Sequence, residues 1–112
     1  VGHTGDLHAA TRAVEVVDAS LGRIRDAILA KGGTLLVSAD HGNCETMVDA
    51  EGQPHTAHTV NPVPLYWVSE AAKGRALATG GRLADVAPTM LELLEVEAPA
   101  VMTGKSLIVP RG

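Results

Sequence analysis

Residues 34–45, TLLVSADHGNCE, are the stretch on which the fold turns. Thr34 to Ser38 is a short apolar run, partly β-branched, set off from what precedes it by Gly32-Gly33. Such a run is expected to be a buried strand of the parallel-sheet kind, although apolarity alone is shared with a buried helix. Ala39, Asp40, His41 and Gly42 follow at once. In open α/β sheets ligands bind in the crevice beyond the carboxyl ends of the strands, so a carboxylate and an imidazole there form a candidate site. Their oxygen and nitrogen donors suit manganese, zinc or magnesium, with histidine tilting the choice away from magnesium. A solvated turn with an ordinary histidine would carry the same pair.

Upstream, Val14, Val17, Leu21, Ile24 and Ile28 recur at spacings of three and four, which predicts an amphipathic helix from about Asp6 to Ala30. Asp6 is its expected N-cap and Gly32 its expected C′ residue. Glu15, Asp18, Arg23, Arg25 and Asp26 are assigned to a solvated face. Helix, Gly-Gly and strand together make half of a crossover unit, the pattern of an α/β sheet. Downstream, Pro54 to Thr59 is a proline-bounded loop with two histidines, His55 and His58. Val63 to Val68 is a second expected strand, its prolines confined to the start. Ser69 to Gly81 is small and polar and is expected to be a surface excursion. Leu83, Val86, Met90, Leu91 and Leu94 mark a second helix from about Arg82 to Val96, and Pro88, which must fall in the first turn, puts its start near Asp85. Leu107 to Val109 is a short strand or a terminal clamp.

The chain of 112 residues is sized for one small domain. Hydrophobic residues at 46% against 20% charged exclude a disordered polar chain. Only Tyr66 and Trp67 are aromatic, so aliphatic residues must build the core. A net charge of −4 without a Lys/Arg run argues against nucleic acid or anionic membrane as a partner. No apolar run nears the ~20 residues that span a bilayer. The start, Val1-Gly2-His3, has no signal-peptide character, and without an initiator Met it is expected to lie inside a longer protein. The lone Cys44 has no internal partner, which fits a reducing cytoplasm; it is assigned to a turn in preference to a reactive thiol.

His3, Asp40, His41 and His58 (or His55) fall on turns that can converge at one end of a sheet. His8 is assigned to the helix surface. The alternatives fail on their signatures. HExxH and cysteine zinc motifs are missing, no GxSxG occurs, and Thr103-Gly-Lys-Ser106 lacks the first P-loop glycine, since Pro99 stands there.

VGHTGD (1–6), SADHGNCE (38–45), PHTAHTVNPVP (54–64), LADVAPTMLELL (83–94) and VMTGKSL (101–107) together resemble the C-terminal end of cofactor-independent phosphoglycerate mutases, in the alkaline-phosphatase superfamily. The resemblance implies an α/β chain forming part of a three-layer α/β/α phosphatase domain over residues 1–112, with the inserted substrate domain absent. It implies interconversion of 3-phosphoglycerate and 2-phosphoglycerate through a phosphoserine, with two divalent metals. Manganese is the expected ion, with magnesium, zinc and cobalt as the others such a site takes. His3 and His58 resemble ligands of one metal, Asp40 and His41 of the other; His55 matches a motif histidine without a ligand role. The family pattern Asp-Met-Val-Gly-His would put another ligand two residues before Val1. The serine nucleophile, its neighbouring aspartate and the phosphoglycerate-gripping arginines and lysine would also lie upstream. The chain alone is therefore expected to be inactive, to bind metal weakly and to self-associate through uncovered apolar surface. Another alkaline-phosphatase-like phosphomutase or phosphatase, or a non-catalytic metal-binding module, are the competing expectations.

Overall fold

The computed structural model describes residues 1–110. Helix α1 spans Leu7–Ala30, and both of its ends follow from local chemistry. Asp6 has extended backbone, and its Oδ1 accepts from Ala9 N at 2.9 Å, satisfying one of the unpaired amides of the first turn. At the other end Gly32 takes φ +69°, Gly32 N donates to Leu29 O and Gly33 N to Ile28 O, both at 2.9 Å. Those two bonds are a Schellman motif, which glycine at C′ allows without a Cβ clash.

Strand β1 (Leu35–Ser38) pairs with β2 (Leu65–Val68) in the register Leu35↔Val68 to Ser38↔Leu65. The pairing is antiparallel, which corrects the parallel expectation. Parallel neighbours need a crossover, usually a helix, whereas residues 39–64 contain none and simply return the chain. β1 is half-buried, not buried, with Leu35, Leu36 and Val37 only partly covered. β2 begins after Pro64, two residues later than expected. Proline has no N–H for the ladder, and the Pro64 carbonyl instead accepts from Ser38 Oγ at 2.9 Å.

The stretch 69–81 is more than a surface excursion. Ser69 caps a 3-10 turn at Glu70–Ala72, Arg75 lies 5.0 Å over the Trp67 ring, and Leu77 forms an antiparallel bridge with Ile108. Ala78 N donates to Leu107 O at 2.7 Å and Val109 N to Ala76 O at 3.2 Å. Residues 107–109 are thus a terminal clamp, with Ile108 buried.

Helix α2 covers Val86–Leu93 after a 3-10 turn at Leu83–Asp85, so Pro88 does sit in its first turn. It stops short of the expected Val96. Glu95 adopts φ +56°, with Glu95 N donating to Glu92 O and Val96 N to Leu91 O, a Schellman ending built on a non-glycine residue. Val96 continues the apolar period but not the helix. Two buried polar side chains tie α2 to the clamp. Asp85 accepts from Arg82 N at 2.9 Å and Lys105 N at 2.8 Å, while Thr89 Oγ1 donates to Asp85 O at 2.7 Å and accepts from Leu107 N at 3.0 Å. The contact is close: a Cβ on Gly104 would stand 1.9 Å from Ala84 O.

The hydrophobic core is small, with Ala10, Met47 and Ile108 as its buried members. Much of the α1 stripe faces solvent: Val14, Val17 and Ile24 are 54%, 56% and 48% exposed. The radius of gyration is 16.8 Å, against about 13 Å for a compact domain of this length. Helix and strand together make a partial α/β domain with an open apolar face.

Candidate metal centre

The end of β1 delivers Ala39, Asp40 and His41 into a turn that Gly42 reverses. Thr59 N donates to Gly42 O at 2.9 Å, an isolated antiparallel bridge that lays the 54–62 loop across this turn. A Cβ at 42 would stand 2.1 Å from both Glu45 Oε1 and Thr59 Oγ1, so any side chain there would have to displace that pair. One consequence is that the residue before Thr59 meets the residue before Gly42. The His41 and His58 rings stack with centroids 3.6 Å apart and planes inclined by 18°. His3, from the N-terminal turn, joins them, its ring centroid 4.9 Å from that of His58.

Hydrogen bonds set the tautomers. A carbonyl only accepts, so His3 Nδ1 must carry the proton it donates to Thr56 O at 2.6 Å. His41 Nδ1 likewise donates to Gly42 O at 3.0 Å. Both residues are left with an Nε2 lone pair, and each lone pair faces another donor atom. His3 Nε2 lies 3.1 Å from His58 Nε2, and His41 Nε2 lies 3.6 Å from Asp40 Oδ1. Two nitrogens bound to one tetrahedral ion at 2.0–2.1 Å stand about 3.3 Å apart. A backbone-anchored Nδ1–H with a free Nε2 is also how a ligating histidine is usually oriented. All four sequence candidates therefore gather here as two pairs, His3 with His58 and Asp40 with His41. Among the described residues no group of three His, Cys, Asp or Glu side chains is arranged to hold a metal by itself. His8 is exposed on α1. His55 is half-buried, its backbone N donates to Met47 O at 2.9 Å, and its Nε2 is buried without a partner. Cys44 is exposed, its thiol 3.3 Å from Asn43 Oδ1. A cleft of about 680 Å³ is lined by Asp40 and His41 together with Arg82 and Leu83.

One residue with a part in this arrangement was not singled out by its sequence. Glu45 Oε2 accepts from Asn43 N at 2.6 Å, and Oε1 accepts from the Thr59 hydroxyl and from Asn61 Nδ2 at 3.1 Å. The Thr59 hydroxyl first, then backbone N–H groups and the Asn61 amide, hold its carboxyl down to about 2. Its signal in the chain is only a carboxylate four residues after His41, which elsewhere reads as a solvated turn.

Residues 1–98 match the model of the Metalloenzyme superfamily. This chain belongs to that superfamily. As a member it is an α/β, alkaline-phosphatase-like metalloenzyme domain, present in part. It is 62% identical over 108 residues to a 2,3-bisphosphoglycerate-independent phosphoglycerate mutase of Desulforudis audaxviator, a match covering 96% of this chain and 21% of that protein. The corresponding mutase of Syntrophotalea carbinolica is 57% identical over 110 residues, covering 98% and 21%. Among solved structures, Leishmania mexicana phosphoglycerate mutase at low cobalt concentration superposes with a TM-score of 0.84 at 37% identity, over 99% of this chain and 23% of that one. The superfamily segment thus spans about a fifth of the length of the curated relatives it matches. No helix among its described residues is long and apolar enough to cross a membrane.

Proposed function

We propose that this segment is the metal-holding C-terminal part of the phosphatase domain of a 2,3-bisphosphoglycerate-independent phosphoglycerate mutase. The whole protein would interconvert 3-phosphoglycerate and 2-phosphoglycerate in glycolysis, in the cytoplasm. The observation that carries the metal reading is the 3.1 Å approach of His3 Nε2 to His58 Nε2, with His3 Nδ1 committed to a carbonyl. His3 and His58 would hold one divalent ion, Asp40 and His41 a second, and manganese is the ion proposed. Bound there, the ions would lower the pKa of a serine nucleophile and neutralise phosphoryl oxygens.

What this chain's residues contribute is placement and protonation state. The Thr56 and Gly42 carbonyls keep the protons of His3 and His41 on Nδ1, so each Nε2 remains a donor to metal. Asp40 adds negative charge beside His41. The cleft next to this pair gives a substrate phosphoryl group an approach.

The test is a calorimetric titration of Mn²⁺ and Zn²⁺ into the chain and its single alanine variants. Binding is expected to be weak, to be lost in His41→Ala and His58→Ala, and to survive His8→Ala and His55→Ala. It should weaken as the solution is acidified, because an imidazole binds metal only in its neutral form. If His8→Ala were as damaging as His41→Ala, the assignment would be wrong.

A further inference from the structure

Two exposed imidazoles stacked at 3.6 Å do not hold a loop in place by themselves. In water their contact is weak, and once protonated they repel. The position of His58 must therefore come from what fastens the 54–62 loop to the turn after β1, and those fastenings can be named. Thr59 N donates to Gly42 O at 2.9 Å, and Asn43 Nδ2 donates to Ala57 O at 3.3 Å. Asn61 Nδ2 reaches Thr46 Oγ1 at 3.2 Å. The rest converge on one carboxylate. Glu45 takes the Thr59 hydroxyl and Asn61 Nδ2 on Oε1, and Asn43 N on Oε2.

We infer that Glu45 is a positioning residue for the metal centre, a carboxylate bracket that holds His58 against His41 and within reach of His3. The inference rests on the metal reading above and adds a part to it. Glu45 grips the residue after His58 and the next but one after that, while Asn43, itself held by Glu45, grips the residue before His58. His58 is thus bracketed on both sides without being touched. The lack of room for a Cβ at Gly42 has the same origin, since Glu45 Oε1 and Thr59 Oγ1 occupy that space. Glu45 is not assigned as a ligand, since the contacts its two oxygens make are to Thr59, Asn61 and Asn43. A carboxylate suits this role, because a group that only accepts can satisfy a hydroxyl, an amide and a backbone N–H together.

The experiment uses the whole chain with Zn²⁺, which is diamagnetic, and reads two quantities. Metal-free NMR reports the His41–His58 ring contact through inter-ring NOEs, and titration reports the dissociation constant. Glu45→Ala should abolish the NOEs and raise the Zn²⁺ dissociation constant about tenfold to a hundredfold, the usual effect of losing a residue that orients a metal ligand. Amide shifts of α1 and of the 105–109 clamp should stay unchanged. Glu45→Gln should recover part of both signals, since its amide oxygen still accepts from Thr59 while its NH₂ faces Asn43 N. Asn61→Ala, a milder cut that removes one donor, should fall between Glu45→Ala and wild type, and it decides the matter if Glu45→Ala does not fold. Intact NOEs with affinity within twofold of wild type in both variants, while His41→Ala loses binding, would overturn the inference. NOEs lost in Glu45→Ala with Zn²⁺ binding untouched in His41→Ala would uphold the bracket and remove the metal reading instead.

Discussion

Thr89 tests whether α2 and the C-terminal clamp are one cooperative unit. It is fully buried, and its hydroxyl works twice, donating to Asp85 O at 2.7 Å and accepting from Leu107 N at 3.0 Å. Thr89→Val keeps the shape and deletes the hydroxyl, which strands the Leu107 N–H; an unpaired buried donor costs about 1–3 kcal/mol. Thr89→Ser keeps both hydrogen bonds and loses one methyl, about 1 kcal/mol with its small cavity. The opposing effect is that a buried methyl is better desolvated than a hydroxyl. It cannot win here, because this hydroxyl is satisfied in both roles and gains little by leaving. The valine variant should therefore be less stable than the serine variant, with a deficit near ~2 kcal/mol against wild type. At a urea slope of roughly 1.5 kcal/mol per molar, that moves the midpoint down by about 1.3 M. Hydrogen exchange adds a local readout: the Leu107 amide should lose protection in Thr89→Val and keep it in Thr89→Ser. If the valine variant matches or exceeds the serine variant, or Leu107 stays protected, the clamp is held by apolar packing and the hydroxyl is incidental.

Glu95→Gly should raise stability by roughly 1 kcal/mol, because glycine occupies a left-handed C′ position without the strain a side chain meets there; a lower melting temperature would contradict it. Acid should destabilise the fold through Glu45 and Asp85, whose folded-state values both lie below their ordinary ones, Glu45 at about 2 against 4.5. Asp85 is lowered chiefly by the backbone N–H groups of Lys105 and Arg82. A depressed carboxylate stabilises the fold above its unfolded pKa and loses that contribution as pH falls through its folded one. Melting temperature should thus be flat down to about pH 4.5 and fall from there toward about 2, with a shallower fall in Glu45→Gln; equal slopes would refute the assignment. The open stripe of α1 should pair copies of the chain. Asp18 and Arg25 lie seven residues apart on one flank of the stripe, so antiparallel helices can bring each to the other's counterpart. Sedimentation over a dilution series should show self-association that Ile24→Lys abolishes, and a wild-type monomer at micromolar concentration would end the idea.

The parts of this molecule that were legible in its sequence are those whose cause is local. The ends of α1 follow from Asp6 at one end and Gly32-Gly33 at the other, because capping acts within a single turn. Pro88 marks the first turn of α2 for the same reason, a missing N–H that costs little there, whereas β2 begins at Leu65, two residues after the expected Val63. His3, Asp40, His41 and His58 stand in motifs of the sequence, and the structure brings them near one another in two pairs, while their metal role remains the proposal above. The direction of the β1–β2 pairing was not legible, since it depends on how residues 39–64 return the chain, and apolarity of a strand says nothing about its neighbour. Nor was the end of α2, where Val96 keeps the helical period one residue after Glu95 has left the helix. Glu45, Asp85 and Thr89 escaped for a deeper reason. Each acts on backbone or hydroxyl groups far along the chain, at Thr59, Lys105 and Leu107, and such pairings follow no period. Yet all three lie inside motifs that also carry a glycine or a proline, SADHGNCE and LADVAPTM. Where a small polar side chain recurs beside a residue chosen for its backbone, the closeness that demands the glycine is the same closeness that gives the polar group its partner. At Gly42 the two are visibly one fact, because the space a side chain would need is already filled by Glu45 and Thr59.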